Sequence, residues 1–186
     1  MAIKIYVDQG HNPENPNAGA EGNGLREQDI TYRVGEELAA LLRANPNYEV
    51  RLSRPTPTSA LGSSNTTSLR ARVNDANAWG ADYFISIHTN ASDNPSADGT
   101  EAFAYSRPSR AFSLGESILN RLSAVTGLRN RGMKVRPSLY VLRKTAMPAV
   151  LVELGFITNP QEASLMNNDP QIFARGIYEG IVRELG

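Results

Sequence analysis

Short β-branched and aromatic runs alternate along the chain with stretches whose apolar residues recur at helical spacing. Ile3-Lys4-Ile5-Tyr6-Val7 predicts a first strand that ends at Asp8-Gln9-Gly10, and residues 11–24, rich in Asn, Pro and Gly, predict a loop. From Gln28 the positions Ile30, Val34, Leu38, Leu41 and Leu42 predict a helix stopped by Asn45-Pro46. Tyr48 to Leu52 is a second strand, and residues 53–65 a second loop. Thr66, Thr67 or Ser68 is expected to cap a helix carrying Leu69, Val73 and Ala76, closed by Gly80. Tyr83 to Ile87 is a third strand running into His88, and Glu101 to Tyr105 a fourth. Ser109 opens a helix with Phe112, Ile118, Leu119, Leu122 and Val125 that Gly127 closes. Leu139 to Leu142 is expected to be a short strand. Pro148 to Val152 has the continuous apolar character of a strand buried on both faces. Asp169-Pro170 then starts a terminal helix with Ile172, Ile177, Ile181 and Leu185 on one stripe. Helices inserted between buried strands imply an α/β layer structure with a largely parallel sheet, and no linker divides it, so residues 1–186 are expected to be one domain.

Composition narrows the chemistry. The chain has no cysteine, which excludes a disulfide scaffold, a thiolate metal site and a cysteine nucleophile. Nineteen basic and nineteen acidic residues leave no net charge, hence no basic field to drive nucleic-acid binding. No span suits a membrane, and Met1-Ala2 leads straight into a strand, so no secretory signal is read at the start. Phosphate-loop, dinucleotide and serine-elbow glycine motifs are missing.

What remains is a pattern of polar residues at strand ends. The chain has two histidines: His11 follows the first strand and His88 ends the third. Glu153 follows the apolar run Val150-Leu151-Val152, where an unpaired carboxylate is costly to bury. Ligands of open α/β sheets bind outside the carboxyl ends of the strands, so parallel strands would bring these three groups to one edge. Glu27, at the entrance to the first helix, is close in sequence to the His11 loop. Two histidines, a carboxylate and one open position form a common catalytic zinc site, with a second carboxylate free to move protons. Taken singly, each residue has an ordinary explanation. A strand-end histidine is usually a surface or hydrogen-bonded residue, Glu27 a first-turn acid, and Glu153 a partner for an arginine such as Arg143. Asp8, Asp29, Asp75 and Asp82 are scattered acids, most of which read as caps and solvated faces.

Val7-Asp8-Gln9-Gly10-His11, Gly24-Leu25-Arg26-Glu27-Gln28-Asp29, Ile85-Ser86-Ile87-His88-Thr89-Asn90-Ala91 and Val150 to Asn159 occur in that order, with Arg131-Gly132-Met133-Lys134 and Tyr140-Val141-Leu142-Arg143 between the last two. Together they resemble the catalytic domain of zinc-dependent N-acetylmuramoyl-L-alanine amidases, the type-three group of bacterial cell-wall lytic enzymes, from residue 3 to about 185. The resemblance implies a twisted, mostly parallel six-stranded sheet with helices on both faces. It implies Zn2+ held by His11, Glu27 and His88, with Glu153 as catalytic carboxylate; Asn90 and Arg72 are separate candidates for support or packing around them. The implied reaction cuts the amide between N-acetylmuramic acid and the L-alanine of the peptidoglycan stem. A monomer that acts on muropeptides at the cell wall, with neither nucleic acid nor membrane as partner, is expected. Export would be by lysis, a holin or a segment outside this chain.

Two departures from the family pattern matter. The usual His-Gly-Gly turn is replaced by His11-Asn12-Pro13-Glu14, which adds an acid and changes the loop. Some members carry a self-inhibiting helical insertion after the second histidine motif. Here only about ten residues from Ser92 precede the next strand, so no self-inhibition is expected. The rival readings are a zinc hydrolase cutting within the stem peptide and a non-catalytic wall-binding module.

Overall fold

In the computed structural model, which describes residues 1–186, the strand runs assemble into one six-stranded sheet. β1 (Ile3–Gln9) pairs in parallel with β4 (Tyr48–Leu52) on one side and β5 (Tyr83–Asn90) on the other. β5 pairs in parallel with β8 (Ala149–Phe156), which is antiparallel to β6 (Thr100–Ala104). β6 runs parallel to the edge strand β7 (Asn130–Val135), so the sheet order is β4-β1-β5-β8-β6-β7. Between β1 and the first helix lies a small hairpin of β2 (Glu21–Gly22) and β3 (Leu25–Arg26).

Strand alternation divides the core between the two faces. Ile5, Val7, Ile85, Ile87, Val150 and Val152 face α1 (Glu27–Arg43), α3 (Arg110–Thr126) and α6 (Pro170–Leu185). Tyr6, Phe84, Phe103 and Leu151 face α2 (Asn65–Trp79) and α4 (Tyr140–Lys144). α5 (Pro160–Asn168) adds Met166 to the larger cluster. Helices on both faces of a mostly parallel sheet agree with the architecture expected from the sequence.

α3 and α6 meet backbone to backbone because two glycines of α6 face α3. A Cβ at Gly176 would sit 2.8 Å from Leu122 Cα, and one at Gly180 would press into Ile118 Cα. Gly180→Ala is therefore expected to destabilise the fold by about 1–3 kcal/mol despite the better helix propensity of alanine. Thermal melting checks this, with a fall of several degrees expected.

Several local expectations need correction. Leu139 to Leu142 is not a strand: Leu139 is the N-cap of α4, and Val141 and Leu142 pack on the second face. A four-residue apolar run carries no period that separates strand from helix. The sixth strand is β7 instead, a half-exposed edge strand without a hydrophobic run. Ser64, not Thr66, Thr67 or Ser68, caps α2, in a box where Thr67 bonds back to the Ser64 amide. α5 was signalled by Asn159-Pro160, the same cap-and-proline device that opens α6 at Asp169-Pro170.

Candidate metal centre

The carboxyl ends of β1 and β5 lie side by side, with Gln9 in register with Ile87. One residue past β1, Gly10 donates its amide to the Ile87 carbonyl, and the chain then turns at His11 with φ 69°. A Cβ at Gly10 would lie 2.5 Å from His88 Cε1, so only glycine allows the two histidine loops to approach. His88 sits near the end of β5, and Glu27 enters from the first turn of α1. The Glu27 carboxylate accepts the Thr89 amide at Oε1 (3.0 Å) and the Ala20 amide at Oε2 (2.9 Å), which fixes its orientation.

Three donor atoms converge there. His11 Nε2 and His88 Nδ1 are 3.2 Å apart, and each lies 3.1 Å from Glu27 Oε1. For zinc with ligands at about 2.0–2.1 Å, the edges of the coordination tetrahedron are about 3.3–3.4 Å. The triangle thus has nearly the size a tetrahedral cation requires, and its donor set of two imidazoles and one carboxylate suits zinc. Burial alone would raise the Glu27 pKa, but hydrogen bonds and charge from His11 and His88 outweigh it and hold the carboxyl well below the ordinary range.

The surrounding network orients the His88 ring and holds the His11 turn. Ser86 Oγ donates to Asp8 Oδ2 at 2.7 Å and lies 3.2 Å from His88 Nε2. With the hydroxyl proton committed to Asp8, His88 Nε2 carries the ring proton and Nδ1 keeps its lone pair for the triangle. Asp8 also pairs with Arg72 at 2.7 Å, both side chains being 1% exposed. Arg72 in turn donates to the carbonyls of Gln9 and His11, each at 2.6 Å, clamping the left-handed turn. Burial works to raise the Asp8 pKa, yet the Arg72 charge and the bonds from Arg72 and Ser86 keep it low. Asp8 is therefore no solvated acid, as its position in the sequence suggested. Its true role is that of a buried anchor for this network.

Glu153 stands beside His88, its register partner across the β5–β8 pairing. Its Oε2 is buried with no hydrogen-bond partner, and no arginine pairs with it. The alternative partner Arg143 is exposed in α4. Burial, with repulsion from Glu27 and Glu101, pushes the Glu153 carboxyl up to about 8. Asn90, the remaining supporting candidate, donates to Glu101 Oε1 at 2.7 Å rather than to the triangle. Sequence reasoning missed Ser86, Gly10 and Gly19. A Cβ at Gly19 would lie 2.8 Å from Glu27 Oε2, and Gly10 falls between the strand and His11 where a close approach was readable.

The altered loop keeps its shape by other means. Asn12 donates its side-chain amide to the Pro16 and Leu61 carbonyls, and Glu14 pairs with Arg26 at 2.8 Å, which also holds Asp29. The segment between β5 and β6, residues 91–99, contains no helix.

The family model for N-acetylmuramoyl-L-alanine amidase matches residues 5–183. The amidase CwlM of Bacillus licheniformis is 37% identical over 185 residues, which cover 97% of this chain and 68% of CwlM. LytC of Bacillus subtilis (strain 168) is also 37% identical over 96% of this chain, which spans only 34% of LytC. The crystal structure of an N-acetylmuramoyl-L-alanine amidase from Clostridium difficile 630 superposes with a TM-score of 0.88 at 28% identity, covering 99% of this chain and 97% of that one. The strand-end histidines, the fold and these relatives converge, and the chain belongs to the N-acetylmuramoyl-L-alanine amidases, hydrolases of peptidoglycan.

Proposed function

We propose that His11, Glu27 and His88 hold a zinc ion and that Glu153 moves the proton in hydrolysis of the bond between N-acetylmuramic acid and L-alanine. The observation that carries this reading is the triangle of three donor atoms separated by 3.1–3.2 Å. A zinc ion bound there would supply Lewis acidity, polarising the scissile carbonyl and lowering the pKa of water to about 7. The protein's own groups do the rest. Ser86 and Asp8 keep the His88 ring in the tautomer that presents Nδ1. Arg72 holds the His11 turn, and two backbone amides hold Glu27. Glu153, with an unpartnered oxygen, accepts the proton of the attacking water and returns it to the departing alanine nitrogen. Repulsion from Glu27 at Glu153 would be offset by a cation held in the triangle.

The site of action is then the cell wall, and no helix is long and apolar enough to cross a membrane. Residues 1–186 serve as one catalytic domain.

Metal analysis tests the centre independently of turnover. Protein purified without added metal is expected to carry about one zinc per chain and to lose it to a strong chelator, together with all release of stem peptide from intact glycan. Adding zinc restores both, and His88→Ala binds far less metal. Full peptide release by chelated, metal-free protein would overturn the assignment. Mass spectrometry of the products separates this reaction from cleavage inside the stem, which would leave L-alanine on the glycan.

A further inference from the structure

The sheet face that carries the triangle continues across β8 and β6 toward β7. On this face the buried cluster ends at Leu151 and Phe103. One cross-strand row nearer the strand ends stand His88, Glu153 and Glu101, linked by the pairings of β5 with β8 and β8 with β6. Next to them an open cavity of about 600 Å³ is lined by Asn90, Glu101, Phe103, Arg131, Lys134 and Arg136, among others.

Three cations line this cavity, and two of them are already engaged. Arg131 donates to Glu101 at 3.2 Å and to the Asp98 carbonyl at 3.0 Å, and Lys134 also pairs with Glu101. Arg136 is different. It is exposed, no carboxylate lies within ion-pair distance, and its guanidinium is stacked 5.0 Å from the Phe103 ring centroid. Stacking on a buried ring limits the directions in which the planar fork can point, leaving its donors free for a ligand. Its charge is felt at Glu153, where it opposes the repulsion from Glu27 and Glu101.

The substrate offers one kind of group to match. Its glycan is neutral, and the lactyl carboxyl is consumed in the scissile amide. The stem peptide retains carboxylates, starting with the glutamyl residue after L-alanine, and that carboxylate can be free or amidated. We propose that Arg136 binds a carboxylate of the stem peptide and makes the enzyme discriminate free-acid stems from amidated ones. This rests on the triangle and Glu153 being the reacting centre. It assigns the cavity beside them to the peptide portion of the substrate.

The test compares kcat/KM on N-acetylmuramoyl-L-alanyl-D-glutamate and on the same compound with its glutamyl carboxylates converted to carboxamides. The native enzyme is expected to prefer the acid by roughly 10- to 100-fold, the range of one charge-assisted hydrogen-bonded contact. Arg136→Gln brings that ratio close to one, through KM more than kcat. Arg136→Lys retains part of it, and Arg136→Glu reverses it. Because each readout is a ratio within one protein, a partly misfolded variant does not distort it. A native enzyme without preference, or a preference unchanged in Arg136→Gln, would overturn the proposal. If Glu153→Gln cleaved either compound at the native rate, the reacting-centre reading would fail instead, which separates the two outcomes.

Discussion

Glu153→Gln is expected to retain one zinc per chain and to lose peptidoglycan hydrolysis by about 10²–10⁴-fold, the usual contribution of a positioned proton-transfer group. The substitution preserves size and the planar head, and Glu153 is outside the triangle of donor atoms, so metal content should not change. An amide nitrogen cannot take a proton from water or deliver one to a leaving amine at neutral pH. Metal analysis and muropeptide digestion on the same preparation provide the check, and near-native turnover would remove Glu153 from the reaction. The metal-free protein offers a second signature. Burial and neighbouring carboxylates raise Glu153 from 4.5 to about 8 in the folded state. Between those values the native state binds more protons than the unfolded chain, so this group makes stability fall as pH rises through the window. Metal-free Glu153→Gln lacks that group and should lose less stability than the parent between about pH 5 and 8.

Arg72→Met is expected to cost about 3–5 kcal/mol of folding stability, because it strands Asp8 as an unpaired buried charge. Arg72 and Asp8 are each 1% exposed, so water cannot replace the lost partner. The same substitution frees the His11 carbonyl from its 2.6 Å bond, and loss of such a supporting contact typically weakens metal affinity by about 10–100-fold. Urea denaturation and competitive zinc titration measure the two effects. A double variant, Asp8→Leu with Arg72→Met, should recover much of the stability without recovering the affinity. A stability loss below about 1 kcal/mol in the single variant would show that the pair is not the anchor described here.

The four residues with proposed chemical roles were legible because each stands beside a strong local signal. His11, His88 and Glu153 follow apolar strand runs, and Glu27 opens a long amphipathic helix. Parallel pairing then brings them to one edge by topology alone. Asp8 and Ser86 were less accessible, since Asp8 meets Arg72 of α2 and Ser86 of another strand only in the fold, and an isolated acid in a sequence looks solvated. β7 escaped for a different reason. An edge strand exposed along half its length needs few apolar residues, and its neighbour Leu139–Leu142 offered a more hydrophobic but misleading run. Arg136 had no signal at all in one dimension; its meaning comes from Phe103 beneath it and from the absence of a counter-charge.

The donor triangle joins residues far apart along the chain, His11 and His88 being separated by 77 positions. An ion gripping both would act as a detachable cross-link, closing a long loop in a way that costs an unfolded chain much of its freedom. Depletion of zinc would therefore disarm the enzyme and also loosen it. The empty form should be the one that proteases digest first, beginning in the segment that carries His11.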